Sequence, residues 1–428
     1  MPLHTLSRRD MTRLLAVGGL GLGALPAIAG PKSVPPTQRR FLFVYCKGGW
    51  DPTFAVAPMF DSPYVDLEGV GYTETAGSLE YVASWERPAV TEFFEAWSES
   101  ICLVHGIEVR AVTHGQCVQL IMTGTNDIKA DDFASTLAGA QPDLLLPSLV
   151  ISGPSYTTQY ASGVIRVGEN GQLAGLLDGS ALDASDQPAP ALSADAAAAI
   201  DEHVRARAEA FREAAGARGN GHRVAADLEA SLDRLVEVRA LGDELDLSVT
   251  DPTDAYLPVS ERAMPALSCL ELGLSRVAMV EHTGLLGKNW DSHANIHMQS
   301  AHFQELFSDL LVLLEELETR PGPAGGSLLD ETCVVVFSEM GRAPQLNAME
   351  GKDHWTYTSA MLLGSGVRGA AVIGGYDPGL IGEAVDFGSG EVSDTGRRIT
   401  SADFGATLLA LGDIDPPIGE PVTAVFED

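Results

Sequence analysis

The sequence predicts an α/β fold, a doubly wound and mostly parallel sheet with a helical insertion. Three observations carry that prediction. Short, unbroken apolar runs recur along the 428 residues, and a strand that is apolar without alternation is covered on both faces. Helical patterns stand between those runs, and buried strands alternating with helices form a parallel sheet. Apolar side chains make up 45% of the chain against 20% charged ones, enough material for a core of this size.

The elements follow in chain order. Ser7-Arg8-Arg9-Asp10-Met11 holds a twin-arginine pair, the apolar run Leu14 to Ile28 follows, and Ala27-Ile28-Ala29 supplies a small-x-small cleavage pattern. Residues 1–29 are therefore expected to be a twin-arginine signal peptide, 30–39 a linker and 40–428 the α/β domain. The apolar run is shorter than the ~20 residues of a membrane span. The expectation is export by the twin-arginine machinery to the periplasm or beyond the cell, with no stable membrane span after cleavage.

Phe41-Leu42-Phe43-Val44-Tyr45 reads as the first buried strand. Ile101-Cys102-Leu103-Val104, Leu149-Val150-Ile151, Val277-Ala278-Met279-Val280, Cys333 to Phe337 and Ala360 to Leu363 read the same way. A helix is predicted over Met298 to Leu317, with Phe303, Leu306, Leu310, Leu313, Leu314 and Leu317 on one stripe. A last helix runs from about Ala402 to Leu411, with Ser401 as N-cap. The insertion covers about 190–250: two alanine-rich helices, Ala194–Ala215 and Arg223–Leu241, split by Gly219-Asn220-Gly221 and ending at Asp251-Pro252. It is expected to pack on the sheet or cap its open end.

With 27 basic and 59 acidic residues the formal charge is −32. Such a surface repels phosphate backbones and anionic headgroups, which excludes nucleic acid as a partner. Cys46, Cys102 and Cys333 sit in strand-like runs as small hydrophobes, and no C-x-x-C pair occurs. At most one disulfide is expected. Neither a G-x-S-x-G elbow, an H-E-x-x-H pair nor a phosphate loop is present.

What remains is a set of acids and histidines beside the ends of predicted strands. Lys47-Gly48-Gly49-Trp50-Asp51 closes the first strand, and Thr113-His114-Gly115-Gln116 opens a helical run ending at Thr123-Gly124. Trp290-Asp291-Ser292-His293, with His297 four residues on, follows the Met279 strand. Ser338-Glu339-Met340-Gly341-Arg342 closes the Val334 strand, and Gly351-Lys352-Asp353-His354 precedes the next. In an open α/β sheet the ligand crevice lies outside the carboxyl ends of the strands. Carboxylates and neutral imidazoles are what a divalent metal needs. Asp51, His114, Asp291, His293, His297, Glu339, Asp353 and His354 are thus the candidate ligands for one or two divalent ions, whether zinc, manganese, calcium or iron. His203, His222 and His302, on helical patterns, read as surface residues.

These segments resemble the exported domain-of-unknown-function family numbered 1501. Its recurring pieces are Gly-Gly-x-Asp, an Arg-Ser-His-Phe-like segment, Gly-Trp-Asp-Thr-His, Ser-Glu-Phe-Gly-Arg and Gly-x-Asp-His, matched in order over roughly residues 40–415. That family in turn is similar to the alkaline phosphatase and sulfatase superfamily. Glu331 to Glu339 resembles the sulfatase strand ending in Ser-Asp-His-Gly, and Asp403 to Leu409 resembles its Asp-x-x-x-Thr-Leu-Leu helix. The resemblance implies a doubly wound sheet with a one- or two-metal edge site. It places His114 where relatives carry a Cys, Ser or Thr nucleophile, with Thr113 as the nearest hydroxyl, and Met340 where sulfatases carry a metal-binding His. One metal would then keep Asp51, His114 and Glu339; the other would keep Asp291, His293 or His297, and His354.

Two functions follow as expectations. The first is an exported, metal-dependent hydrolase of a small phosphate or sulfate ester, or of such an ester on a glycan. Metal-activated water would be its nucleophile, His114 a ligand or general base, and Arg342 an anion clamp. The second is a non-catalytic exported protein with a degenerate metal site that binds a ligand or organises the envelope.

Overall fold

The protein is described from a computed structural model, over residues 34–167, 193–215, 220–240, 254 and 256–427. All of them belong to the compact unit Ser33–Asp428. The expected leader and the Asp251-Pro252 boundary lie outside the described residues.

The strands are β1 (Arg40–Cys46), β2 (Gly71–Ala76), β3 (Leu79–Ser84), β4 (Ile101–Glu108), β5 (Ser148–Val150) and β6 (Val164–Arg166). They continue with β7 (Val277–His282), β8 (Thr332–Ser338), β9 (Gly341–Leu346), β10 (Lys352–Trp355), β11 (Tyr357–Gly364) and β12 (Ala371–Ile373). The principal helices are α1 (Pro88–Trp97), α2 (His114–Thr123), α3 (Phe133–Gly139), α4 (Ala194–Ala215), α5 (Asn220–Ala240), α6 (Met264–Glu271), α7 (Met298–Thr319) and α8 (Ser401–Leu411).

Eight strands form one sheet in the order β12-β4-β11-β8-β1-β7-β5-β6. At its centre β1 is parallel to both neighbours, with Phe43 beside Met279 of β7 and Val335 of β8. The continuous apolar run of β1 is divided by the pleat. Leu42, Val44 and Cys46 enter one core, against Phe93, Leu267 and Phe303 of α1, α6 and α7. Phe41, Phe43 and Tyr45 enter the other, against Ile121, Leu137 and Phe404 of α2, α3 and α8. Helices on both faces make the sheet doubly wound, as the apolar runs require.

One strand departs from the parallel pattern. β11 is antiparallel to both β4 and β8. The chain leaves β8 at Ser338, folds the β9–β10 hairpin at that end, and starts β11 there at Tyr357. With no crossover back to the far edge, β11 must run in reverse. Consequently Lys352, Asp353 and His354 stand before β11 yet beside the carboxyl ends of the other strands.

The α7 stripe is buried throughout, from Phe303 to Leu317. Helix α8 is capped by Thr400, one residue earlier than expected, through a capping box with Asp403. The insertion helices pack on each other, with Ala208 and Ala225 buried and ion pairs Arg205–Asp233 (2.6 Å) and Arg212–Glu229 (3.0 Å). Arg234 fixes α5 beside the β5–β6 edge by donating to the carbonyls of Ser162 (2.6 Å) and Pro142 (2.8 Å). Cys46, Cys102, Cys117, Cys269 and Cys333 are all buried free thiols, so the structure shows no disulfide among them. Among the described residues no helix is long and apolar enough to cross a membrane.

Candidate metal centre

The chain turns sharply where β1 ends. Gly48 and Gly49 hold φ of 116° and 85°, a region that favours glycine. A Cβ on Gly48 would lie 2.8 Å from the backbone nitrogens of Trp290 and Asp291, so the β1 and β7 loops touch here main chain to main chain. Gln299 of α7 locks them together. Its carbonyl oxygen accepts from the Asp51 amide (3.0 Å), and its amide donates to the Trp290 carbonyl (2.8 Å) and the Ser292 hydroxyl (3.0 Å). Sequence reasoning missed Gln299, which stands within a helical pattern with no motif around it.

Three imidazoles converge on Asp291, and each is oriented from behind. His114 Nδ1 lies 2.8 Å from Glu339 Oε1, His293 Nδ1 lies 3.1 Å from Asp353 Oδ1, and His354 Nδ1 lies 2.6 Å from the Val112 carbonyl. Each partner is a pure acceptor, so each Nδ1 carries the proton and each Nε2 is left with a lone pair. Those Nε2 atoms face one another and a carboxylate. His293 Nε2 and His354 Nε2 are 2.9 Å apart, and both lie 3.3 Å from Asp291 Oδ1. His114 Nε2 is 3.3 Å from Asp291 Oδ2, and this buried atom has no hydrogen-bond partner. In the neutral rings these acceptors repel one another, and a cation beside His114, Asp291 and His354 relieves that repulsion. One ligand atom each from His114, Asp291 and His354 lies within 4.8 Å of the others. The residues therefore fit a divalent ion, with His nitrogens backed by carboxylates or a carbonyl as in metal sites.

The other expected ligand set is not assembled. Asp51 is fully buried and is already satisfied. Its Oδ1 accepts from the Thr53 amide (3.0 Å) and hydroxyl (2.7 Å), and its Oδ2 accepts from the Lys352 ammonium at 2.8 Å. Glu339 serves as a support for His114 and accepts from the Gly48 amide (3.0 Å) and the Ser338 hydroxyl (3.1 Å). A lysine thus stands against the carboxylate that the resemblance assigned to a metal. One candidate ligand group is assembled where two were expected, with an ammonium on the Asp51 carboxylate.

Arg342, Thr113, His297 and His302 are placed differently from expectation. Arg342 is fully buried and donates to the carbonyls of Gly48, Gly49 (2.8 Å) and Lys352 (3.2 Å) and to Asp291 Oδ1 (2.8 Å). A guanidinium so committed positions Asp291 and is not an open anion clamp. Thr113 is exposed and its hydroxyl donates to Gln116 Oε1 (3.1 Å), away from the imidazoles. His297 is exposed ahead of α7 and has no side-chain hydrogen bond among the described residues. His302, expected on the surface, is buried, and its Nδ1 accepts from the Leu285 amide at 2.8 Å. Met340 is buried in the core face behind the site.

The charges are tuned accordingly. The hydrogen bond to Glu339 raises the His114 pKa above the ordinary imidazole value, against the effect of burial. Burial pushes the Asp291 carboxyl up, but the hydrogen bond and charge of the Arg342 guanidinium outweigh it and hold the pKa below the usual range. Asp291 is therefore an anion ready to ligate.

A family model described as Protein of unknown function (DUF1501) matches residues 39–417. The chain belongs to this family. No curated protein matches it. Among solved structures, the chain is similar to a protein in the alkaline phosphatase superfamily from Vibrio parahaemolyticus, at 10% identity and a TM-score of 0.38, over 90% of this chain and 70% of that one. It is also similar to the lipoteichoic acid synthase LtaP from Listeria monocytogenes, at 8% identity and a TM-score of 0.36, over 96% of this chain and 80% of that one. A third, BT4656 in complex with its substrate D-glucosamine-2-N,6-O-disulfate, matches at 10% identity and a TM-score of 0.33, over 91% and 80% of the two chains.

Proposed function

We propose that this DUF1501 protein is a metal-dependent hydrolase of a phosphate or sulfate ester. His114, His354 and Asp291 would hold the ion, and His293 would act beside it as general base. The convergence of three proton-free donor atoms on one point carries this reading. Two imidazoles and one carboxylate suit zinc, iron or manganese. Calcium, which takes roughly six to eight oxygens, fits them poorly. When bound, such an ion polarises an ester oxygen and lowers the pKa of its water to about 7, which supplies a nucleophile without a hydroxyl side chain. His293 takes the water's proton at Nε2, while Asp353 accepts from its Nδ1 and holds the ring in that tautomer. Arg342 keeps Asp291 ionised and aimed. The Arg8-Arg9 pair and the Ala27-Ile28-Ala29 cleavage pattern support export by the twin-arginine route.

A second reading, a non-catalytic ligand-binding protein, is favoured by one observation. Thr113, the hydroxyl nearest in sequence to His114, has its proton committed to Gln116 Oε1.

Elemental mass spectrometry on protein purified without chelator separates the two. One equivalent of metal per chain is expected, lost in Asp291→Ala and in His354→Ala. His293→Ala should keep its metal while turnover of an activated ester falls by about 10²–10⁴. Less than a tenth of an equivalent in the wild type, unchanged by adding metal back, would leave the binding-protein reading.

A further inference from the structure

From the charges around the centre we infer that it selects singly charged esters, phosphodiesters or sulfate monoesters, over doubly charged phosphate monoesters. This inference rests on the metal-hydrolase reading above. The carboxylates at the centre and directly behind it are Asp51, Asp291, Glu339 and Asp353. The buried cations bonded to them are Arg342, on Asp291, and Lys352, on Asp51. A divalent ion held by neutral imidazoles and Asp291 brings this group to neutrality.

Binding a dianion takes more positive charge, usually a second metal or a free guanidinium. Among the described residues neither stands at the centre. Lys352 stands on Asp51, where the second metal was expected, and its ammonium is fully buried. The Arg342 guanidinium donates to three carbonyls and Asp291. Two cations nearer the solvent are paired as well: Lys47 with Glu281 at 3.4 Å and Arg110 with Glu108 at 3.0 Å. A dianion would therefore bring two uncompensated negative charges to a neutral centre, on a chain of net charge −32. A monoanion leaves the centre with half that excess.

The surroundings suit the rest of such an ester. Val112, whose carbonyl holds His354, is 53% exposed. Leu346 and Met349 are 44% and 60% exposed on the β9–β10 turn, where Asn347 donates to the His293 carbonyl and to Asp353. These exposed apolar side chains offer contact to the second ester arm of a phosphodiester, which neither a phosphate monoester nor a sulfate monoester carries.

The test uses three small probes of matched shape, titrated calorimetrically into metal-loaded full-length mature protein at pH 8. These are dimethyl phosphate and methyl sulfate, both monoanions, and methyl phosphate, a dianion. At least one monoanion should bind tenfold or more tightly than methyl phosphate, and the better of the two identifies phosphodiester or sulfate ester. Val112→Arg, which adds a free guanidinium at the rim, should narrow the gap by raising methyl phosphate affinity. Methyl phosphate binding as tightly as both monoanions, or no binding of any probe, would overturn the inference. The metal content of the same sample separates the failures. With one equivalent present, charge selection fails while the metal centre stands; with none, the reading of the site itself fails.

Discussion

Asp51 and Lys352 are 301 positions apart in sequence, fully buried, and joined at 2.8 Å. Nothing in either local motif announces the pair. An aspartate after Gly-Gly at a strand end has the same signature whether it awaits a metal or an ammonium, and a lysine one position before Asp-His reads as solvated. The residue types at the strand ends were legible; which acid stands among the imidazoles and which meets a lysine depends on long-range packing. His114, His354 and Asp291 could be read from residue type and strand-end position, whereas the buried roles of Arg342 and Gln299 could not. The pair also makes a prediction. Removing one partner of a buried ion pair leaves an uncompensated charge, costing about 3–5 kcal/mol. Lys352→Met should lose that much stability in urea denaturation of metal-free protein, and the double variant Asp51→Leu/Lys352→Met should recover most of it. A Lys352→Met variant as stable as wild type would show that the ammonium is dispensable to the fold.

Helix α7 shows the same limit at the scale of an element. Its leucine stripe was legible because apolar residues at three- and four-residue spacing fit one periodicity. Its polar residues were not, because a polar position between leucines looks like the solvated face. In the fold, Asp309 accepts from the Val259 amide (2.7 Å) and the Ser260 hydroxyl (2.8 Å). Glu305 lies 3.5 Å from the His282 ring. Nor does an apolar run carry a direction, so the reversal of β11 had no signal in Ala360 to Leu363. Glu305 offers a measurable consequence. Burial, with help from Asp309 and against Arg262, pushes its pKa from 4.5 up to about 7. The folded state then holds a proton that the unfolded chain releases above pH 4.5, so this group's contribution is full below that pH. It is lost as pH rises through about 7. Glu305→Gln, always neutral, should match wild type near pH 5 and exceed it at pH 8 by on the order of 2 kcal/mol. Thermal melts of both proteins at the two pH values test this. An equal difference at both would mean that Glu305 titrates like a solvated carboxylate.

At the scale of the whole molecule, the centre exists because parallel strands end at one edge. Loops after β1, β4, β7 and β8 and the hairpin before the reversed β11 supply residues from Gly48 to His354. The doubly wound sheet was legible from its buried runs, and with it the edge where these loops meet. Within that edge the candidate ligands come from three separate segments, the start of α2, the loop after β7 and strand β10, and their supports come from Glu339 and Val112. A metal bound here joins segments that are far apart in the unfolded chain. The binding energy is then folding energy, since the unfolded state presents no such constellation. At a free zinc concentration about 100 times its dissociation constant, linkage adds about 2.7 kcal/mol to stability. Chelation should therefore lower the melting temperature of wild-type protein reversibly, and zinc should restore it. Asp291→Ala should melt at the same temperature with or without zinc. Glu339→Gln, which weakens the support behind His114, should need about 10–100 times more zinc for the same recovery. If chelation left the wild-type melting temperature unchanged while metal was demonstrably removed, the ion would be held by a local loop. The convergence of strand-end residues on Asp291 would then have a different purpose.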